Sequence, residues 1–280
     1  TNEAPAAVIM GVGDADEELS TEPETPAEAT AEEKPEAAAE LLAGTGVDPF
    51  TGRGAYTTGT MDDVQVFLNT RHTVESGFSS PNVVGLLPGT DPALKDEYIV
   101  VTAHLDHVGV RNGAIFNGAD DNGSGTAAVL ELAEAYAGLA VPPRRSILFV
   151  FFSGEERGLL GSRHFVTTPE APMGSSAAMI NLDMVGRLRE EKTLSVSGTG
   201  TTPVWSQMLN SLNPGFELVL NESGVGPSDH TSFYLQDIPV LHFFTGQHED
   251  YHKPSDDAEK LNYQGMEAIA AYLFDLVKAM

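Results

Sequence analysis

The stretch SILFVFFSGEERGLLG, residues 146–161, drives an apolar run into two neighbouring carboxylates, Glu155 and Glu156. Side by side at the end of a buried segment they repel one another and lose hydration, so a cation must stand between or beside them. Residue types able to share that cation recur at the ends of other apolar runs. His104 and Asp106 follow EYIVVT, Asp183 follows AAMINL, and Tyr251 and His252 come shortly after IPVLHFFTG. Between the first run and SILFVFF lies NGADDNGSG, whose glycines flank Asp120 and Asp121. Taken singly, DDNG is an ordinary turn and NLD an ordinary strand end. Recurring together at separate strand ends, imidazoles and carboxylates are the ligand set of a zinc centre.

Such residues meet only if the elements that carry them lie side by side. EYIVVTAH (97–104), SILFVFFS (146–153), AAMINLDMVG (177–186), TLSVSG (193–198), FELVLNE (216–222) and IPVLHFFTG (238–246) read as strands, the second of these the most apolar and so central. VQVFLNTRHTVES and SPNVVGLLPG read as a strand pair, the latter closed by a Pro-Gly turn. Helical spacing marks 124–139, Leu159–Phe165, 201–212, SDHTSFYLQ and the closing YQGMEAIAAYLFDLVKAM. Strands alternating with helices predict a three-layer α/β/α domain with a mainly parallel, mixed central sheet. In such sheets ligands bind beyond the carboxyl ends of the strands, where these polar residues fall.

Composition narrows the partners. The 280 residues carry a net charge of −26, concentrated at the start: residues 1–46 hold twelve acids and one base, and 47–280 carry the remaining −15. Nucleic acid and anionic membranes would be repelled, and no apolar run approaches the length of a membrane span. With no cysteine, disulfides, thiolate zinc sites and cysteine nucleophiles are excluded. The Glu/Ala/Pro/Thr-rich stretch 14–40 predicts a mobile linker, with a short helix over Glu33–Gly44. Residues 1–46 are therefore expected to be an acidic linker or the remnant of an accessory domain, AAVIMGVG within them reading as a stray strand and turn. Residues 47–280 are expected to be the catalytic domain.

TAHLDHVG, NGADDNGSG, SGEERGLLGS, NLDMVG, SDHTSF and DYHKPSDD occur in that order. Together they resemble the zinc aminopeptidase family of secreted bacterial leucine aminopeptidases, whose relatives include glutamate carboxypeptidase II and glutaminyl cyclases. The resemblance spans Asn82 to Met280. It implies a zinc-peptidase (phosphorylase/hydrolase-like) fold and two zinc ions per chain, one held by His104 and Asp183, the other by Glu156 and His252, with Asp121 bridging both. It further implies Glu155 as general base, Tyr251 as the oxyanion donor and Asp106 as the carboxylate that orients His104. Asp229 and His230 would stand behind these groups, and the Asp121–Asn122 peptide would be cis. A bridging carboxylate holds two metals roughly 3.5–4 Å apart, the spacing of two-metal hydrolases. The adjacent glutamates would then divide the work, one binding metal and its neighbour handling the proton.

Removal of N-terminal residues from peptides with a free N-terminus is the expected activity, by a monomer that is secreted or periplasmic. The chain begins without a basic-then-apolar leader, so any signal peptide is expected to be already gone or never to have existed. Related carboxypeptidases and deacylases insert a further domain before the final histidine, and the short spacing from Asp183 to His252 leaves no room for one. An acidic-dipeptide carboxypeptidase would want cationic clusters, for which Arg187 and Arg189 are the nearest candidates. A glutaminyl cyclase uses one zinc, and a receptor-like domain would have lost ligands. His107 is expected at the rim of the site, and His72, His164, His242 and His248 are not expected to bind metal. Met184, Val185, Phe233, Tyr234 and Phe244 are expected to line an apolar substrate pocket.

Overall fold

The computed structural model describes residues 7–10 as backbone, 80–168 and 173–280, all within one compact unit. The linker and helix expected before residue 46, the boundary at 46/47, the strand over 64–76 and His72 lie outside the described residues.

In chain order the elements are β1 (Ala7–Met10), β2 (Asn82–Leu87), β3 (Tyr98–His104), β4 (Gly109–Arg111), β5 (Ala114–Phe116), α1 (Gly125–Ala137), β6 (Ser146–Phe152), α2 (Leu160–Thr167), β7 (Ser176–Leu182), β8 (Thr193–Ser197), α3 (Trp205–Leu212), β9 (Glu217–Asn221), α4 (His230–Tyr234), β10 (Val240–Phe244) and α5 (Tyr263–Ala279). The main sheet has the order β1-β2-β6-β3-β7-β10-β8-β9. Its middle strands β6, β3, β7 and β10 are parallel, β2 and β8 join antiparallel on either side, and β9 runs parallel to β8. Every residue of β6 is buried, as a strand covered on both faces requires.

Strand alternation divides the core in two. Ile99, Val101, Ile147, Phe149, Ile180, Leu194, Val196, Leu241 and Phe243 face α1, α3 and α5 through Val129, Leu132, Trp205, Leu209, Tyr272 and Leu276. Val100, Leu148, Val150, Phe152, Met179 and Val240 face α2 and α4 through Phe165, Val166 and Phe233. Two apolar faces each covered by helices make the expected three layers. No helix among the described residues is long and apolar enough to cross a membrane.

Two elements differ from the sequence reading. Ala7–Met10 pairs antiparallel with β2, residue 7 opposite Gly85, so these residues extend the edge of the sheet instead of belonging to a separate segment. A short β4–β5 hairpin turns at Asn112-Gly113, both with positive φ (52° and 78°), before the acidic loop. Asn-Gly is the signature of such a turn.

Candidate active site

The carboxyl ends of the parallel strands deliver the polar residues to one place. β3 ends on His104, and Asp183 directly follows β7. After β6, Gly154 adopts φ 73° and reverses the chain into a short turn over Glu155–Arg157. A residue with a Cβ is disfavoured there. The loop from Gly118 to Ser124 sets Asp120 and Asp121 at the start of α1, and its Asp121–Asn122 peptide is cis. The Asn122 amide fixes this loop to the end of β7: it donates to the Leu182 carbonyl (2.9 Å) and accepts from the Met184 N–H (3.2 Å). Met184 and His252 both hold φ of 51°, a left-handed conformation that costs a non-glycine residue about 1–3 kcal/mol.

His104 is buried, and its Nδ1–H donates to the backbone carbonyl of Asp106 at 3.0 Å. That bond leaves the Nε2 lone pair facing Asp121 Oδ1 (3.4 Å) and Asp183 Oδ1 (3.5 Å). The Asp106 carboxylate lies farther away, 3.8 Å from Nδ1, and instead accepts the Glu155 N–H at 3.1 Å. Asp106 therefore orients His104 through its main chain, while its side chain anchors the turn bearing the paired glutamates. On the other side His252 Nε2 lies 3.1 Å from Asp121 Oδ2 and 3.0 Å from Glu156 Oε2. Asp121 thus presents one oxygen to each histidine. Tyr251 stacks on His252 with ring centroids 3.9 Å apart.

His104, Glu155 and Asp183 offer ligand atoms within 4.8 Å of one another, as do His107, Asp121 and Glu156. His107 is the addition. Its Nδ1 lies 2.8 Å from Glu156 Oε1, yet the two are buried and out of hydrogen-bond alignment. Orphaned donor atoms this close suit a shared ligand better than each other.

The electrostatics carry the same message. Burial, and then Asp183, Asp229 and Glu156, push the Glu155 carboxyl up to about 9 against the pull of His104. Burial opposes charge on His104, but Asp121 and Asp183 raise it well above the ordinary histidine value. Burial would likewise raise Asp183, but His104 and Ser228, whose hydroxyl donates to Oδ2 at 2.7 Å, hold it near 2. Asp229 is fully buried and burial pushes it up to about 7. Among the described residues no lysine or arginine pairs with Asp121, Glu155, Glu156 or Asp183. Without a metal only protons on histidine and glutamate can offset this charge, so the donor set fits one or more divalent cations.

Residues 82–277 match peptidase family M28. The chain belongs to that family. It is 32% identical over 215 residues to aminopeptidase YwaD of Bacillus subtilis (strain 168), an alignment covering 71% of this chain and 45% of that protein. With leupeptin-inactivating enzyme 1 of Streptomyces exfoliatus it shares 30% identity over 206 residues, covering 73% and 44%. The fold is similar to that of BSAP, a zinc aminopeptidase from Bacillus subtilis, with a TM-score of 0.61 and 29% identity over 72% of this chain and 50% of that one. A Porphyromonas gingivalis glutaminyl cyclase shares the fold at 20% identity and a TM-score of 0.58. The chain spans about half the length of the M28 relatives it matches.

Beneath this M28 site lies a network absent from the sequence reading. The buried Asp256 carboxylate accepts the backbone N–H groups of both Asp120 (2.9 Å) and Asp121 (3.1 Å) through Oδ2. Its Oδ1 accepts from Arg187 at 3.1 Å, and Arg187 also reaches Asp250 at 3.3 Å. Asp120, buried, accepts from Gly186 N–H (2.6 Å) and Ser124 Oγ (2.9 Å) and faces His248 Nε2 at 3.0 Å. Arg187 is therefore committed to holding the acidic loop and is not a substrate anchor. Asp256→Ala would strand two buried amides and part of a guanidinium at once. A loss of about 3 kcal/mol is expected, read as a shift of the urea midpoint.

A cavity of about 320 Å³ opens over Asp121, Glu155, Asp183, Tyr251 and His252. Of the residues expected to line it, Met184 and Phe244 do. Val185 and Phe233 are buried in the core, because the chain turns after Met184 and α4 points its phenyl ring at α2. Tyr234 lies outside the lining, beside Gly224. His230 and His242 line the cavity as a stacked pair, ring centroids 4.4 Å apart. His164 bonds Thr168 at the end of its own helix.

Proposed function

We propose that this chain is a dinuclear zinc exopeptidase that removes residues from the free N-terminus of peptides. The observation that supports this reading is the convergence of His104, Asp121, Glu156, Asp183 and His252 around Asp121, whose two oxygens face different histidines. His104 and Asp183 would hold one zinc and Glu156 and His252 the other, with Asp121 bridging and His107 beside the second. When bound, zinc supplies Lewis acidity, lowering the pKa of water and polarising the scissile carbonyl.

The remaining chemistry falls to the chain's own groups. Glu155 takes the proton of the attacking water and passes it to the departing amine. The Asp106 side chain holds its backbone N–H and so sets where the carboxylate can reach. Tyr251 lines the cavity, and burial together with Asp121 and Glu156 pushes its phenol up to about 12. It therefore stays protonated and can donate to the carbonyl oxygen as negative charge develops there. Carboxylates around the cavity favour the ammonium of a free N-terminus.

A mass-spectrometric time course on zinc-loaded protein, with peptides beside their N-acetylated twins, tests the reading. Stepwise shortening of the free peptides alone is expected. Shortening from the other end would indicate a carboxypeptidase and sink the proposal.

A further inference from the structure

The cavity extends from the acidic cluster over β8, β9 and β10, where Phe244 and Val225 give it an apolar side and Ser195, Ser197, Asn221, His242 and Gln247 a polar one. The pattern is built into the sheet. Asn181, His242, Ser197 and Asn221 are direct register partners on four neighbouring strands, β7, β10, β8 and β9. On β8 the alternate residues Leu194 and Val196 are fully buried in the core, which turns Ser195 and Ser197 toward the cavity. Among the described residues neither serine hydroxyl has a hydrogen-bond partner.

A chain of hydrogen bonds fixes which way His242 presents its proton. The Asp183 carboxylate can only accept, so Ser228 Oγ–H donates to it. Ser228 Oγ must then accept from the Asn181 amide, at 2.8 Å, which sets that amide with its nitrogen toward Ser228. Its carbonyl accordingly accepts from Thr102 Oγ1 at 2.7 Å. The same amide nitrogen lies 3.1 Å from His242 Nδ1, which therefore accepts. The proton of the neutral ring sits on Nε2, a donor with no partner among the described residues. Burial disfavours a second proton on this ring.

We propose that this pocket selects peptides whose first residue is glutamine or asparagine, His242 Nε2–H donating to the side-chain carbonyl and the Ser195 and Ser197 hydroxyls accepting from its amide. The inference rests on the aminopeptidase reading above. Among the described residues no lysine or arginine lines the cavity to pair with an acidic side chain. The carboxylates that line it among the described residues, Asp121, Glu155 and Asp183, belong to the proposed metal cluster and leave none free for a basic side chain. A leucine side chain would displace water from the imidazole N–H and the two hydroxyls without replacing its hydrogen bonds, which a site built for hydrogen bonding penalises.

The test compares kcat/KM on tetrapeptides differing only in their first residue (glutamine, asparagine, leucine, glutamate or lysine) for the zinc-loaded protein, with products identified by mass. Glutamine and asparagine are expected to exceed leucine by about tenfold or more, below the full discrimination of a closed site because this one opens to solvent. His242→Phe should shift the ratio toward leucine by a similar factor. The double variant Ser195→Val, Ser197→Val should do the same without touching the Asp183 network, with zinc content unchanged in it. A wild-type preference for leucine, or a ratio that neither variant moves, would overturn the inference while leaving the aminopeptidase standing. No shortening of any peptide, or loss of ammonia from the glutamine peptide without shortening, would overturn both.

Discussion

Glu155→Gln is expected to lower kcat by about 10³-fold, the middle of the range for a positioned acid–base group, with KM and zinc content little changed. Glutamine keeps the shape and the backbone N–H bond to Asp106, but its carboxamide cannot take a proton from water. The result discriminates because Glu155 also stands within ligand reach of His104 and Asp183. If it held metal, the variant would lose zinc and activity together. If it handles the proton, zinc stays and only turnover falls. Buried among carboxylates and without a cation it is pushed up to about 9 and would be protonated at neutral pH. Metal held by the neighbouring ligands would supply the positive charge that favours the basic form.

Asp121→Ala should have the other large effect, for a different reason. Its two oxygens lie 3.4 Å from His104 and 3.1 Å from His252, so on the proposed dinuclear reading one substitution would remove a ligand from both halves of the centre. Native mass spectrometry is expected to show zinc falling from two ions to one or none, and activity falling at least as far as in Glu155→Gln. Thermal melts supply an independent readout. Zinc at 100-fold above its dissociation constant stabilises the folded state by about 2.7 kcal/mol per site. The wild-type melting temperature should therefore drop on chelation, while that of the variant should barely respond. Two ions that survive the substitution would remove Asp121 from the bridging role.

The parts of this molecule legible in its sequence are those that depend on local pattern. β6 was readable because a strand buried on both faces is apolar throughout, and the acidic and imidazole residues were conspicuous because they interrupt such runs at their ends. The β4–β5 hairpin was missed although Asn112-Gly113 carried its signal, since strands of three exposed residues leave no hydrophobic pattern. His107 was assigned to the rim because nothing in HLDHVG says which way the chain turns after β3. Asp256 lies 135 residues from the amide of Asp121 that it holds, and only the folded chain reveals that contact. The pocket was misjudged for a related reason. The turn after Met184 and the packing of α4 on α2 take Val185 and Phe233 into the core, while the register of β8 against β10 sets Ser195 and Ser197 in the lining beside Phe244.

That distant carboxylate also bears on the order in which the protein becomes competent. His104, Asp121, Glu155, Glu156 and Asp183 all leave the ribosome well before His252 and Asp256. Until the final stretch arrives, the acidic loop has no acceptor for its two amides and the second cluster lacks an imidazole. A nascent or truncated chain can thus display most of the ligands without the geometry that makes them work. On the proposed reading, hydrolytic capacity would wait until residues 252–256 have folded against the acidic loop, through a contact that also stabilises the fold.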